Sequence, residues 1–143
     1  MTPKAPAPTT RLSPHFTLAE FACHDGTPVP AAAVAHLRNH CLAVLEPLRE
    51  RFGPVFVTSG YRHTAYNTSI GGARQSYHIY DLRGGRFPAT DVHCARGGIA
   101  DWHRFVDGLL HRIGEGQGGL GYYPRGGFVH IDLRPYQARW DGP

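Results

Sequence analysis

The sequence predicts an α+β domain in which a small, largely antiparallel sheet packs against two main helices. Two long stretches repeat apolar residues every three or four positions, the spacing of a helix with one buried face. Short β-rich segments bounded by glycine and proline lie between and after them. Their order, helices then strands then a helix then strands, lacks the strict alternation of a parallel α/β fold. At 143 residues, 41% of them hydrophobic, the chain suits one domain with a single core.

Residues 1–14 carry four prolines and little to bury, so they are expected to form a flexible tail, leaving 15–143 as the domain. Thr17 and Glu20 have the spacing of a capping box, with Phe16 as its hydrophobic staple, which predicts a short helix ending by His24-Asp25-Gly26. Pro30 opens the first long helix, in which Val34, Leu37, Cys41, Leu45 and Leu48 share one side. Pro47 should kink its last turn, and Gly53 should end it. Residues 55–58 read as a strand that delivers Tyr61 and Arg62 to the end of a sheet, and 64–70 as one or two helical turns closed by Gly71-Gly72. Residues 76–82 and 89–94 read as two strands of a hairpin joined by Arg83-Gly84-Gly85-Arg86. The second long helix, about 99–113, has Ile99, Trp102, Phe105, Val106, Leu109, Leu110 and Ile113 as its buried stripe. A closing hairpin pairs 121–123 with 128–133 around Pro124-Arg125-Gly126-Gly127.

A formal charge of +4 admits nucleic acid, an anionic membrane surface or an anionic polymer such as bacterial cell wall as partners. The positive charges are scattered, and no helix carries a basic stripe with interleaved aromatics, so no specific nucleic-acid partner is expected. Cys23, Cys41 and Cys94 are odd in number and unrelated in spacing, which reads as free thiols rather than a disulfide framework or a metal knuckle. No stretch approaches the ~18 apolar residues of a membrane span. The amino terminus lacks the apolar run of a signal peptide, so synthesis in the cytoplasm is expected.

The chemistry concentrates in two histidines and an aspartate, His78, Asp91 and His130, each bracketed by strand-like residues. With His78 and Asp91 on adjacent strands and His130 on the last hairpin, they read as three ligands of a zinc site whose fourth position stays open. His36 and His40 lie four apart on the first helix without the intervening glutamate of a zincin motif, and read as exposed surface histidines. Tyr122, Tyr123 and Trp140 are read as core aromatics ahead of groove-lining ones.

Ser59-Gly60-Tyr61-Arg62, Gly71-Gly72-Ala73 with Ser76-x-His78, Ala89-x-Asp91, and Gly121-Tyr122-Tyr123-Pro124 leading to Phe128-Val129-His130-x-Asp132 carry a resemblance. Together they resemble the zinc D-alanyl-D-alanine carboxypeptidase and L-alanyl-D-glutamate endopeptidase family. These are peptidoglycan peptidases that share a fold with the amino-terminal domain of hedgehog proteins. The resemblance runs from about Phe16 to Trp140. It implies zinc held by His78, Asp91 and His130, and a substrate-engaging arginine at Arg62, whose guanidinium fork pairs with carboxylate or carbonyl oxygens. Ser76, two before His78, would share its strand face and hydrogen-bond substrate or orient a ligand.

Two departures from the family pattern bear on the site. The family's aspartate usually follows the first histidine by seven residues, where this chain has Gly85, and Asp91 comes six later. Residues 81–86 therefore read as part of an insertion in the hairpin turn. Asp81 competes as a ligand, but its odd separation from His78 would point it to the opposite strand face. Relatives also place an acid or histidine two or three residues before the last zinc histidine as catalytic base, where this chain has Gly127 and Phe128. Asp132 and His93, each two residues from an expected ligand, are the alternative catalytic residues, Asp132 either polarising the water or fixing the His130 ring. The implied activity is hydrolysis of peptidoglycan peptide bonds, endopeptidase favoured over carboxypeptidase, in a phage or prophage endolysin or a virion lytic domain. Its alternative is a non-catalytic wall-binding or virion structural module on the same fold.

Overall fold

The computed structural model describes residues 6–114 and 116–143. The first apolar stripe forms a nearly continuous helical rod. A 3-10 turn at Ala31–Ala33 runs into α1 (Val34–His40), a π-helical turn at Cys41–Leu45, and α2 (Glu46–Phe52). The wide turn stands immediately before Pro47, which has no N–H to donate and crowds the carbonyl four residues back. The expected kink is therefore absorbed as a π turn. Gly53 ends the rod by donating its N–H to the Arg49 carbonyl at 2.8 Å. Leu37, Cys41, Leu45 and Leu48 are all fully buried, each aliphatic side chain contributing about 1.5–3 kcal/mol.

After β3 (Val55–Ser59) and the short α3 (Thr64–Ser69), the chain adds β4 (Thr90–Cys94), α4 (Ile99–Gly114), β5 (Gly118–Tyr123), β6 (Phe128–Asp132) and β7 (Gln137–Asp141). The five strands form one sheet in the order β3-β4-β6-β5-β7, antiparallel except for the β5–β7 pair. Alternation divides the sheet into two faces. Val92, Leu120, Val129 and Ile131 are fully buried in the core shared with the long helices, whereas Asp91, His130, Asp132 and Trp140 belong to the other face. Register sets Asp91 directly opposite His130, and Gly121 between His130 and Trp140.

Several expectations change. Residues 76–82 are not a strand: a turn leads into a 3-10 helix at Tyr80–Arg83, and β4 pairs with β3 and β6 instead. Tyr80 is buried with its hydroxyl on the Ala89 carbonyl, and Gly84 and Gly85 at positive φ fold the segment back. Burial of one tyrosine and two glycine turns override the β-rich composition. Within the expected tail, β1 (Arg11–Ser13) pairs with β2 (Phe16–Thr17), Leu12 is buried, and the Ser13 hydroxyl donates to Glu46 at 2.6 Å. Residues 1–5 of that tail lie outside the described residues. The capping box forms, with the Thr17 N–H on the Glu20 carboxylate at 2.7 Å, and Leu18–Phe21 is a 3-10 turn. In α4 the stripe holds through Leu110, but Ile113 in the last turn is 49% exposed beside a surface hollow. His40 is fully buried rather than exposed, because it faces Thr90 across the core.

Candidate metal centre and groove

Gly60, at the end of β3, lies so close to the Leu18–Phe21 turn that an added Cβ would meet the Phe21 carbonyl oxygen at 2.7 Å. That close approach aims the Gly60 carbonyl at His78 Nδ1, 2.7 Å away. The Arg62 N–H donates to the His78 carbonyl at 2.8 Å, and the His78 N–H donates to the Ser76 hydroxyl at 3.1 Å. His78 is thus held in a loop by three hydrogen bonds, not by a strand, and Ser76 braces the turn that presents it. Asp91 and His130 come from the paired strands β4 and β6. His78, Asp91 and His130 are all buried, with one donor atom of each within 4.8 Å of the others. Asp81, the rival ligand, accepts the Tyr61 hydroxyl at 2.6 Å and takes no part. The 3-10 turn excludes it, so the strand-parity argument fails although its conclusion stands.

Proton accounting identifies what the three residues present to one another. A carbonyl only accepts, so His78 Nδ1 carries the proton and Nε2 is bare in the neutral ring. Asp132 faces His130 Nε2 at 2.8 Å and is itself gripped by Arg134 at 2.7 and 2.6 Å. Burial would raise the Asp132 pKa, but Arg134 and His130 hold it well below the usual carboxylate range, so it stays an acceptor and His130 Nε2 carries the proton. His130 Nδ1 is then bare as well. Both bare nitrogens stand 3.1 Å from Asp91 Oδ1. Three electron-rich atoms face one point, an arrangement that calls for a cation. Burial lowers the His78 pKa and disfavours a proton there despite the pull of Asp91. Burial would lower the His130 pKa as well, but Asp132 and Asp91 raise it, so without metal a second proton on His130 answers part of that demand. Zinc bonds of 2.0–2.1 Å at tetrahedral angles set neighbouring ligands about 3.3 Å apart, near the observed 3.1 Å.

The three donors open into a cavity of about 710 Å³. Arg62 stands on one side with Nη2 3.7 Å from Asp91 Oδ2, braced by Ser59 and Asn67 at 3.3 Å each. Trp140 lies against His130 with ring centroids 4.9 Å apart and donates its indole N–H to the Tyr123 hydroxyl at 2.7 Å, while Tyr123 stacks on Phe128. A second hollow of about 340 Å³ shares Arg62, Asp91 and Phe128 with the first. The two hollows adjoin at these residues, beside the three-donor site.

The sequence model of the family described as Peptidase M15 matches residues 14–132. The chain belongs to this family. No curated protein and no solved structure gives a significant match. Peptidase M15 members are zinc-dependent peptidases, and membership points to a peptidase acting on peptidoglycan. The His78, Asp91 and His130 donor set fits that metal in number, type and spacing.

Against the M15 expectation, the two residues proposed as base fare differently. Asp132 is fully buried, accepts from the Gly119 and Arg134 N–H groups as well as from His130 and the Arg134 side chain, and does not line the cavity. Its two oxygens are taken up by these contacts, His130 Nε2 among them. His93 stacks on Phe56, 5.0 Å between centroids, and does not line the cavity either, because β4 carries it away from the groove. Among the described residues, no carboxylate or imidazole beyond the three donors lines this cavity. Tyr123 and Trp140 line it, contrary to their assignment to the core, while Tyr122 packs edge-on against His103. Sequence reasoning also missed Tyr77, Arg83, Arg134 and Tyr136, which form one wall. For Arg134 a signal existed: Asp132-x-Arg134 sets a fork donor two residues from an acid.

Proposed function

We propose that the chain is a zinc-dependent endopeptidase that hydrolyses a peptide bond within peptidoglycan. The observation carrying this reading is the convergence of three electron-rich donors beside two adjoining hollows that share Asp91. A substrate chain can then extend past the cleavage point in either direction, whereas a carboxypeptidase needs one end closed around a terminal carboxylate. When bound, zinc polarises the scissile carbonyl and lowers the pKa of its water toward neutrality. Arg62 holds a substrate oxygen through its fork, Ser76 keeps the His78 loop in place, and Asp132 fixes the His130 ring and its tautomer. Trp140, Tyr123 and Phe128 flank the bound peptide and limit water.

Among the described residues the larger cavity has no base beyond the three donors, His24 lining only the second hollow. This favours a second reading, a wall-binding or virion structural module that holds metal without turnover. The net charge of +4 suits an anionic wall polymer under either reading. For the enzyme, we propose a phage or prophage lytic role exerted on the wall after release from the cell or from a virion. The test is digestion of purified peptidoglycan with metal-loaded protein, with and without chelator, reading fragments by mass and by new termini. Chelator-sensitive fragments cut inside the peptide support the endopeptidase, and release of a terminal residue alone replaces it with a carboxypeptidase. Intact wall of several types beside metal-loaded protein transfers the assignment to the module.

A further inference from the structure

Resting on the reading of this groove as a peptide-cleaving site, we propose that Arg83 binds a free carboxylate on the substrate and makes the enzyme selective for acidic peptides. Charge accounting in the cavity leads to it. Three arginines line the cavity, Arg62, Arg83 and Arg134, against a single carboxylate, Asp91, which is one of the three donors. Arg134 is neutralised by the buried Asp132, and Arg62 lies 3.7 Å from Asp91. Arg83 has no such partner: among the described residues no carboxylate comes within 4.0 Å of it. Its own hydrogen bonds go to neutral oxygens, the Gln75 carbonyl at 2.6 Å and the Ser76 carbonyl at 3.4 Å. A guanidinium has five N–H donors, so these contacts leave most of the fork for a ligand.

The group is also fixed in place. Its guanidinium carbon lies 3.5 Å from the Tyr77 ring centroid, and that of Arg134 lies 4.0 Å from the same centroid. Two guanidinium groups that near one centroid occupy opposite faces, so Tyr77 is sandwiched between them and holds Arg83 by cation–π attraction. The backbone is clamped too: a Cβ on Gly85 would sit 2.5 Å from the Ala32 carbonyl oxygen, so the turn after Arg83 lies flat on the start of the helical rod. A half-buried, immobilised and unpaired guanidinium on the wall of a peptide groove matches a carboxylate in charge and in fork geometry. Peptidoglycan stem peptides offer such a group in the α-carboxylate of a γ-linked glutamyl residue, and amidation removes it.

Two stem peptides differing only in that carboxyl, free acid or primary amide, test the proposal. The readouts are kcat/KM with metal-loaded protein and, separately, calorimetric binding to metal-free protein. Wild type should favour the acid peptide by about tenfold or more, the effect of one charge-assisted hydrogen bond. Arg83→Gln should collapse that ratio toward one, and Arg83→Lys, which keeps the charge but loses the fork, should retain part of it. Equal handling of both peptides by wild type overturns the proposal. So does an Arg83→Gln variant that loses rate on both alike with its ratio intact, which would make Arg83 only a brace for the Gln75-Ser76 carbonyls. If neither peptide is cut, the peptidase reading fails and calorimetry still decides. Acid-selective binding lost in Arg83→Gln upholds the subsite, whereas equal binding of both peptides, or of neither, overturns it.

Discussion

Among the described residues, two clusters of metal-ligating side chains lie on this fold, and only one of them is built for a cation. His78, Asp91 and His130 form one, and Cys23, Asp25 and His63 form the other, each with donor atoms within 4.8 Å of one another. In the second cluster both His63 nitrogens and both Asp25 oxygens have partners. His63 Nδ1 accepts the Tyr66 N–H at the start of α3, which leaves the proton on Nε2, and Nε2 donates it to Asp25 Oδ2. The other Asp25 oxygen accepts the Thr27 N–H at 3.0 Å. In the first cluster the outward nitrogens of both histidines are held by acceptors, so in the neutral rings the inward atoms are bare and face Asp91. Proximity of ligand-type residues is thus a weak sign of a metal site. What each histidine does with its second nitrogen is the stronger one.

The largest break in this comparison comes from the donors themselves. Replacing His78, Asp91 or His130 by Ala should abolish tight zinc binding and peptide hydrolysis together. Each loss should exceed the 10–100-fold typical of an outer partner, and metal titration beside a peptide-release assay measures it. Full activity in any of the three variants would remove that residue from the site. Asp132→Asn comes next. It keeps the shape but loses the charge that fixes the His130 tautomer and pairs with Arg134. Zinc affinity should fall about 10–100-fold with the fold retained, and an unchanged affinity would mean that the Asp132 contact does not tune His130.

Much of this was legible before any coordinates, and the failures have physical causes. Both long helices followed from their stripes because burial and the 3.6-residue period agree along each of them. Motif order singled out His78 and His130, but the choice of Asp91 over Asp81 leaned on a strand parity that the 3-10 turn does not obey. Residues 76–82 were not legible as a turn, because alternating tyrosine, histidine and isoleucine look the same in a strand and in a loop pinned by one buried tyrosine. The β7 strand was missed because Gln137–Asp141 has no alternating apolar pattern and is half-exposed throughout. The Tyr77, Arg83 and Arg134 wall depends on contacts between segments about fifty residues apart, which no local period records.

A third buried histidine sharpens the point by having one unpartnered nitrogen and, among the described residues, no other ligand beside it. His40 Nε2 bonds the Thr90 hydroxyl at 2.8 Å, and Nδ1 has no hydrogen-bond partner. Burial lowers its pKa to about 4. The unfolded chain binds a proton below about pH 6.5 while the folded chain resists until about 4, so stability is full above 6.5 and falls as pH drops between these values. The expected loss is about 3 kcal/mol. Asp25, Asp91 and Asp132 have lowered pKa values, and their stabilising contributions are lost further down in pH. His40→Gln should flatten the pH 6.5 to 4 part of the stability curve in denaturant melts; an unchanged slope would exclude His40 as its source.

The smallest effect is expected where the comparison predicts none. Cys23→Ala and His63→Gln each remove a donor from the cluster whose nitrogens and carboxylate oxygens already have partners, so zinc stoichiometry should stay at one per chain. The His63 cap is a single 3.2 Å contact to the first turn of a six-residue helix, and the Cys23 thiol is buried beside the Asp25 turn, so both variants should fold. Zinc-edge absorption spectroscopy provides the sharper readout. In wild type the metal should show only nitrogen and oxygen neighbours, since the first cluster holds no sulfur. A sulfur scatterer near 2.3 Å, or a second equivalent of zinc lost in Cys23→Ala, would mean that the metal displaces the His63 proton and breaks the α3 cap. Proton placement would then have failed to separate the two clusters.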